Sequence, residues 1–515
     1  MSQALSEYHL LPALYVAIAA VMVMWDVVVA GRVSQIRRAP RLFAAISAFC
    51  GLLIIPALLI AYASASILYG RGIQPVAWVW PFTTALFALQ SMYALSRRVV
   101  TPLLGVPILT YNVIIAIVTL SRYFDAHGLI PPDFAMALSG ASVSALGFFF
   151  GAPALWGPQY LHVPLMAPST PSRWGLGRAV RVGIAVAASA IAGLVLIYMP
   201  DAFATAKSYV GYEDRKLQEH PEGDFDIGIK ILPDLGGAPP PLSLQRDIEL
   251  ADSLQLSVVA ITLKPEGARL AALDSVARTV EDYRADSALI VISLAYPKDA
   301  AQQFRESPAE YTRRRVADID RISRRLRPDI LFPAVDPNTE GARALGSPSP
   351  EYWQNYLTRA AQVAHYVNPR IRVGVSASSY GSRDSTLYYW AARRGSPIDV
   401  LGFSMMPGFD GGTSLDNKMR IARGWMRSFP TRPKPHWVTS AGGYPVAHGE
   451  ASQALALWGV LSWATEQTPI KGLIVTEAGD YQVLRGLRTA SGRYRSAVVA
   501  VQRARRGLGE SAIPP

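Results

Sequence analysis

Ala288-Leu-Ile-Val-Ile-Ser-Leu-Ala295 leads through a polar loop into the segment around 309–327, where Ile319, Ile322 and Leu326 recur at spacings of three and four, and then into Ile330-Leu-Phe-Pro-Ala-Val335. A short run dominated by Val, Ile and Leu reads as a strand buried on both faces, and the three-and-four spacing reads as an amphipathic helix. The same strand, loop and helix unit recurs eight times over about 290 residues, which is the arithmetic of a (β/α)8 TIM barrel. Working outward, strands are expected at Phe225–Ile231, Ser257–Leu263, Ala288–Ala295, Ile330–Val335, Ile371–Ala377, Val400–Met405, His436–Thr439 and Gly472–Thr476. A doubly wound open sheet would alternate in the same way. Its Gly-rich first turn is missing, because Leu232-Pro-Asp-Leu-Gly-Gly-Ala-Pro-Pro-Pro241 holds too much proline to open a helix. The face of 309–327 that carries Arg313–Arg315, Arg321, Arg324 and Arg325 among Asp318 and Asp320 reads as solvated and ion-paired.

The first 200 residues are another material. Eleven Arg and no Lys occur through Pro200, against four acids (Glu7, Asp26, Asp125 and Asp133), while the remainder mixes 39 basic with 34 acidic residues. The net charge of +12 is therefore mostly loop arginine beside apolar stretches, which argues for membrane topology and against a nucleic-acid partner. Six stretches, at approximately 10–30, 42–69, 75–96, 99–121, 133–156 and 179–199, are long enough to cross a hydrocarbon core of roughly 30 Å. The first lacks a basic leading segment and a small-residue cleavage site, so it is expected to be a retained span. Asp26 near its end is within reach of Arg32 and is read as an interfacial pair. The expected organisation is a six-helix transmembrane domain over 1–200, a polar tether over 201–224, the barrel over 225–508 and a flexible tail over 509–515. The one cysteine, Cys50, leaves no intrachain disulfide.

Arginine placement sets the orientation. Arg32, Arg37, Arg38 and Arg41 follow the first span, Arg97 and Arg98 follow the third, and Arg173 and Arg178 precede the sixth. The alternate loops hold only Arg71 and Arg122, and the N-terminal tail holds none. Positive loops stay cytoplasmic, so the N-terminus and, after six crossings, the barrel are expected outside the plasma (inner) membrane.

In a barrel of this kind, the chemistry sits where strands run into their following loops. The fourth strand ends Phe332-Pro-Ala-Val-Asp-Pro-Asn-Thr-Glu340 and the sixth reads Asp399-Val-Leu-Gly-Phe-Ser-Met-Met-Pro-Gly-Phe-Asp410. The seventh is Lys434-Pro-His-Trp-Val-Thr-Ser-Ala-Gly-Gly-Tyr-Pro445, and the eighth is Lys471-Gly-Leu-Ile-Val-Thr-Glu-Ala-Gly-Asp480, followed by Gly486-Leu-Arg-Thr-Ala-Ser-Gly492. Over roughly Phe225–Ala497 this set resembles the clan A glycoside hydrolases, retaining barrel enzymes that include endo-galactanases and cellulases. The resemblance implies a polysaccharide or oligosaccharide substrate, an acid/base carboxylate at the end of strand four and a nucleophilic Glu at the end of strand seven. The chain departs from that pattern twice. Asp336 stands where the acid/base Glu is expected, and Ser440 stands at the nucleophile position, where a hydroxyl cannot form the usual glycosyl ester.

Three arrangements follow. Asp336 and Glu477 could face each other across the mouth at the wider separation of an inverting pair, about 6.5–9.5 Å, with water between them. Alternatively, a loop acid such as Asp234, Glu340 or Asp410 completes a non-standard pair. In the third, the barrel only binds glycan, as an inactive assembly subunit of a membrane-embedded polysaccharide synthase or exporter. A barrel of other chemistry, such as a phosphodiesterase, is a weaker alternative. In the first three, Asn338, Asp410, Ser440 and the aromatic residues Tyr296, Tyr380, Phe409, Trp437 and Tyr444 are the expected substrate contacts. His436 and His448 lack metal-ligand spacing, and neither a metal nor a cofactor is expected. Protease added outside spheroplasts is expected to cleave the chain beyond Asp201; complete protection of that half would reverse the orientation.

Overall fold

A computed structural model describes residues 78–125, 175–221, 223–231, 241–265, 270–285, 288–407, 412–429, 433–445, 449–480, 485–489 and 492–509, together with residue 76 and short pieces within 49–57, 129–145 and 164–165. Its C-terminal half is a closed barrel in which each strand pairs with the next and the eighth with the first, all in parallel. The strands are β1 (Asp226–Ile231), β2 (Val258–Leu263), β3 (Leu289–Leu294), β4 (Ile330–Phe332), β5 (Arg372–Ala377), β6 (Val400–Met405), β7 (His436–Ala441) and β8 (Ile470–Val475). All eight fall where apolar runs predict them. The fourth is shorter than expected because Pro333 supplies no backbone donor to continue the ladder.

Alternation sorts each strand between two cores. Val258, Ala260, Val291, Ile330, Phe332, Val400, Trp437 and Ile474 fill the barrel, while Val259, Ile261, Ile290, Ile292 and Leu401 face the surrounding helices. The large rings fit because glycines face them. A Cβ on Gly374 would lie 2.5 Å from the Phe332 ring, and one on Gly472 would lie 2.5 Å from the Trp437 ring. One step further toward the mouth, the inward positions turn polar: Lys230, Thr262, Ser293, Ser376, Ser404 and Thr476.

Three long helices are described before the barrel: α1 (Val79–Ser96), α2 (Pro102–Asp125) and α3 (Gly175–Val210). The first two are joined by polar contacts, with Thr84 Oγ1 2.6 Å from Thr119 Oγ1 and Asn112 donating to Ser91 Oγ at 2.7 Å. Among the described residues, two segments are long and apolar enough to cross a membrane, Pro102–Ser121 and Ala185–Val210. The expected span at 10–30 lies outside the described residues, and those at 42–69 and 133–156 are described only in pieces.

The stretch expected as a tether over 201–224 is different in kind. Its first ten residues continue α3, and the rest is fastened to the barrel. Ser208 and Tyr212 both donate to Asp416, Trp458 Nε1 donates to the Arg215 carbonyl at 3.0 Å, and Asp224 pairs with Lys471 at 2.5 Å. The Tyr212 ring rests on Gly459, where a Cβ would be 2.4 Å away. The 309–327 segment forms a helix over Pro308–Leu326 and pairs Arg313 and Arg314 with Glu310 and Arg324 with Asp320, as a solvated face should. Arg315 departs from that reading. It is 2% exposed and donates to the carbonyls of Leu294, Ala295 and Pro333 at 3.1, 2.6 and 2.9 Å. Its spacing from Ile319 and Ile322 places it on the apolar stripe, so the guanidinium points inward to strand ends that need donors.

His436 starts β7 on the helix-facing side, is 1% exposed and lies 2.8 Å from the Tyr388 hydroxyl. Burial lowers its pKa to about 4. Between the ordinary histidine value and that point, the unfolded chain binds a proton that the folded chain refuses, so stability falls with falling pH. Denaturation midpoints from pH 7 to 4 should show a loss of about 3 kcal/mol that the His436→Gln variant lacks; parallel pH curves for the two proteins would contradict this.

Candidate active site at the barrel mouth

Asp336 lies four residues past the end of β4, on a loop held from below by buried donors. Arg315 and the Tyr356 hydroxyl (2.8 Å) both bond the Pro333 carbonyl, and the Tyr296 hydroxyl bonds the Val335 carbonyl at 2.9 Å. The chain then turns sharply: Asp336 has φ of +39°, and its carbonyl accepts from the amides of Thr339 and Gly341, each at 3.1 Å. A left-handed conformation is costly for most side chains and least so for Asp and Asn. The Asp336 carboxylate accepts from Ser376 Oγ on β5 at 2.8 Å. Burial raises its pKa above the ordinary aspartate value; Ser376 and the Lys230 charge oppose the shift, and Glu340 and Asp384 add to it.

Glu477 follows β8 and is 6% exposed. Its Oε1 accepts from Arg485 Nε at 2.9 Å and from Arg485 Nη2 at 2.7 Å, while Oε2 has no donor among the described residues. Burial raises this pKa too, against the lowering effect of Arg485 and Lys230. The loop presenting Arg485 is fixed by two further pairs, Arg495–Asp480 at 2.6 Å and Arg488–Asp247 at 2.7 Å. Close approach of its backbone makes Gly486 obligatory, since a Cβ there would lie 2.2 Å from the Gly479 carbonyl carbon.

In the closed order of strands, β4 and β8 stand on opposite sides of the barrel. The two carboxyl groups thus approach the mouth from opposite walls. Lys230, on β1 beside β8, lowers the pKa of both. Glu340 acts on Asp336 and on Arg485, and Tyr444 acts on Arg485, so both belong to the same electrostatic cluster. Two acids kept near or above their usual range, with cations between and behind them, can hold one proton and one negative charge in a single cleft.

The remaining expected residues are distributed differently. Asn338 donates to Asp384 at 2.7 Å, and Asp384 accepts from the amides of Ser378, Ser379 and Tyr380 at 2.8, 2.7 and 2.9 Å, so this pair shapes the rim after β5. Ser440 is half-buried in a β-bulge opposite Ser404. Tyr296 and Tyr380 are packing groups: Tyr296 lies edge-on to Trp353, and Tyr380 stacks on Phe403 and Trp425. Trp437 is 1% exposed within the barrel and has no free face to offer a ligand. Contrary to the expectation of sugar stacking, the faces of these three rings are covered by protein. Asp234, Phe409, Asp410 and His448 lie outside the described residues. No group of three potential metal ligands is found among the described residues. A separate cavity, lined by Tyr388, Arg393, Phe429, Lys434 and His436 among others, lies outside the barrel near the start of β7 and shares no residue with the mouth.

Lys230 and Arg485 are the components that sequence reading missed. Lys230 had a signal, being the only charge inside Ile227-Gly-Ile-Lys-Ile231 and in phase with inward-facing Gly228. Arg485 had none, because its partner is chosen by the folding of the last loop.

No protein-family profile and no curated protein sequence matches the chain. Among solved structures it is similar to a broad-specificity endoglucanase from Clostridium longisporum, at 12% identity over 57% of this chain and 100% of that one, with a TM-score of 0.44. It is also similar to xylanase 10B from Thermotoga petrophila, at 10% identity over 56% and 98% of the two chains and a TM-score of 0.39. A third is the Ruminococcus gnavus β-glucuronidase, at 12% identity over 57% of this chain and 53% of that one, with a TM-score of 0.40. The chain spans about half the length of the last. At such identities and scores the likeness carries no argument; the barrel rests on its own strand pairing. Replacement of Lys230 by Met is expected to raise the titration midpoints of both Asp336 and Glu477, followed by carboxyl-carbon NMR; movement of only one would remove Lys230 from its shared position.

Proposed function

We propose that the chain is a membrane-anchored, extracytoplasmic, glycoside hydrolase-like protein that acts on a cell-surface or exported polysaccharide at the barrel mouth. The observation that supports this best is the placement of Asp336 and Glu477 on opposite walls of one cleft with Lys230 acting on both. On this reading the pair works by inverting hydrolysis, in which two carboxyl groups stand about 6.5–9.5 Å apart with water between them. Asp336, half-buried and beside the acids Glu340 and Asp384, is suited to keep its proton and deliver it to the glycosidic oxygen. Glu477, held by Arg485 through Oε1, is suited to accept a proton from water through Oε2. The hydroxyl then bonds to the anomeric carbon as the bond to the leaving oxygen breaks, and the leaving group departs as an alcohol. Solvent afterwards restores the proton to Asp336 and removes it from Glu477. Ser440 takes no part as a nucleophile in this scheme.

A second reading has its own support. The ion pair from Arg485 to Glu477 and the serine at the seventh strand suit a barrel that binds glycan without cleaving it, as a subunit docked on a membrane synthase or exporter. Release of reducing ends from a polysaccharide panel separates the two. Wild type should be active, and Asp336→Asn and Glu477→Gln should each lose about 10²–10⁴-fold; Asp336→Asn should keep the thermal midpoint, whereas Glu477→Gln should lower it because Arg485 loses its buried partner. Glycan retention without turnover by wild type would leave the binding reading in place of the catalytic one.

A further inference from the structure

The contacts of residues 208–224 fix which end of the barrel faces the membrane part of the chain. In a (β/α)8 barrel each helix returns the chain from the mouth to the closed end, so a helix starts at the mouth and finishes away from it. Ser208 and Tyr212 bond Asp416, near the start of the helix Gly412–Arg427 that follows β6. Arg215 and Tyr212 then meet Trp458 and Gly459, in the middle of the helix Glu450–Thr465. Gln218 and His220 meet Thr465, its last residue, at 3.1 and 2.7 Å, and Asp224 meets Lys471 at the beginning of β8. The segment therefore descends the outside of the barrel from mouth to closed end before turning up into β1.

Helix α3 accordingly reaches the barrel from the mouth side. The apolar stretch Ala185–Val210 ends next to this clamp. Leu196 and Ile197 are 61% and 68% exposed, as lipid-facing side chains would be, and Asp201 and Lys207 mark the polar interface. Ten helical residues from Asp201 to Val210 rise only about 15 Å, which leaves no room for a long spacer between hydrocarbon and rim. Ala202, Ala206, Tyr209 and Tyr212 are buried in the same continuous cluster as the layer between the barrel strands and their helices, so the joint is packed.

We infer that the mouth holding Asp336 and Glu477 opens toward the bilayer surface, and that its substrate is a glycan carried on a lipid anchor in the same membrane. This rests on the glycan reading and on the membrane reading of α3. A soluble polymer would meet the closed end and the helix ring first, whereas a sugar chain rooted in the headgroup layer starts at the rim.

Two measurements on the full chain in proteoliposomes test this. In a Cys50→Ala background, nitroxides are placed at the two ends of the helix Ser382–Ala392 through Ser382→Cys at the mouth and Gly395→Cys just beyond the closed end. Lipids with nickel-chelating headgroups should broaden the mouth signal more strongly, and the opposite order would overturn the orientation. Next, one oligosaccharide is offered free or on a dialkyl lipid in the same vesicles at equal bulk concentration. The anchored form should be bound or cleaved at least about tenfold better, and equal use of the two would overturn the substrate class. If the nickel ordering holds and neither form is bound, the glycan reading itself fails and takes this inference with it.

Discussion

Hydrogen bonding between β1 and β8 closes the sheet, and the rest of the molecule depends on that closure. A parallel sheet left open would expose two edges and set the ends of β4 and β8 on remote parts of one surface. Once closed, it makes them opposite walls of one mouth. Closure also creates an interior with a fixed volume. Phe332 and Trp437 fill it because Gly374 and Gly472 leave space for their rings. The polar residues one step higher then become the floor of a cleft.

Burial of charge at that cleft needs compensation, and two devices supply it. On the β4 side a buried cation, Arg315, donates to three carbonyl groups at the strand ends, which steadies the loop that ends in Asp336. Buried carbonyls left without donors are costly, so this arginine stiffens the wall behind the acid rather than taking part at the mouth. On the β8 side Arg485 bonds Glu477 directly, and the Asp480–Arg495 and Asp247–Arg488 pairs hold its loop. Lys230, on β1 beside β8, biases both acids toward the ionised form, against the burial that raises them.

The junction between α3 and the barrel is built like a domain core. A single carboxylate, Asp416, receives two hydroxyl donors from the end of α3 and lies 3.6 Å from Arg215. A tyrosine packed on a glycine and an indole bonded to a backbone carbonyl complete the seam. Contacts of this kind fix direction as well as distance. They make the barrel an extension of α3 instead of a cargo on a flexible lead.

Local pattern carried much of this in advance. Runs of Val, Ile and Leu separated by three-and-four periodic segments determined eight strands and their order, because parallel strands buried on both faces have few other ways to be written. The same reading located Asp336 and Glu477 at strand ends. It misplaced Arg315, whose neighbours in sequence are ion-paired surface arginines, and it took Tyr296, Tyr380 and Trp437 for open rings. Charge alone does not say whether a side chain meets water or a buried carbonyl, and a ring at a strand end does not announce which neighbour covers it. Those outcomes, with the pairing of Arg485 to Glu477 and the docking of 208–224, depend on groups as much as 247 residues apart in sequence. Only the tertiary structure decides them, because such contacts exist once the sheet has closed and the helices have been laid around it.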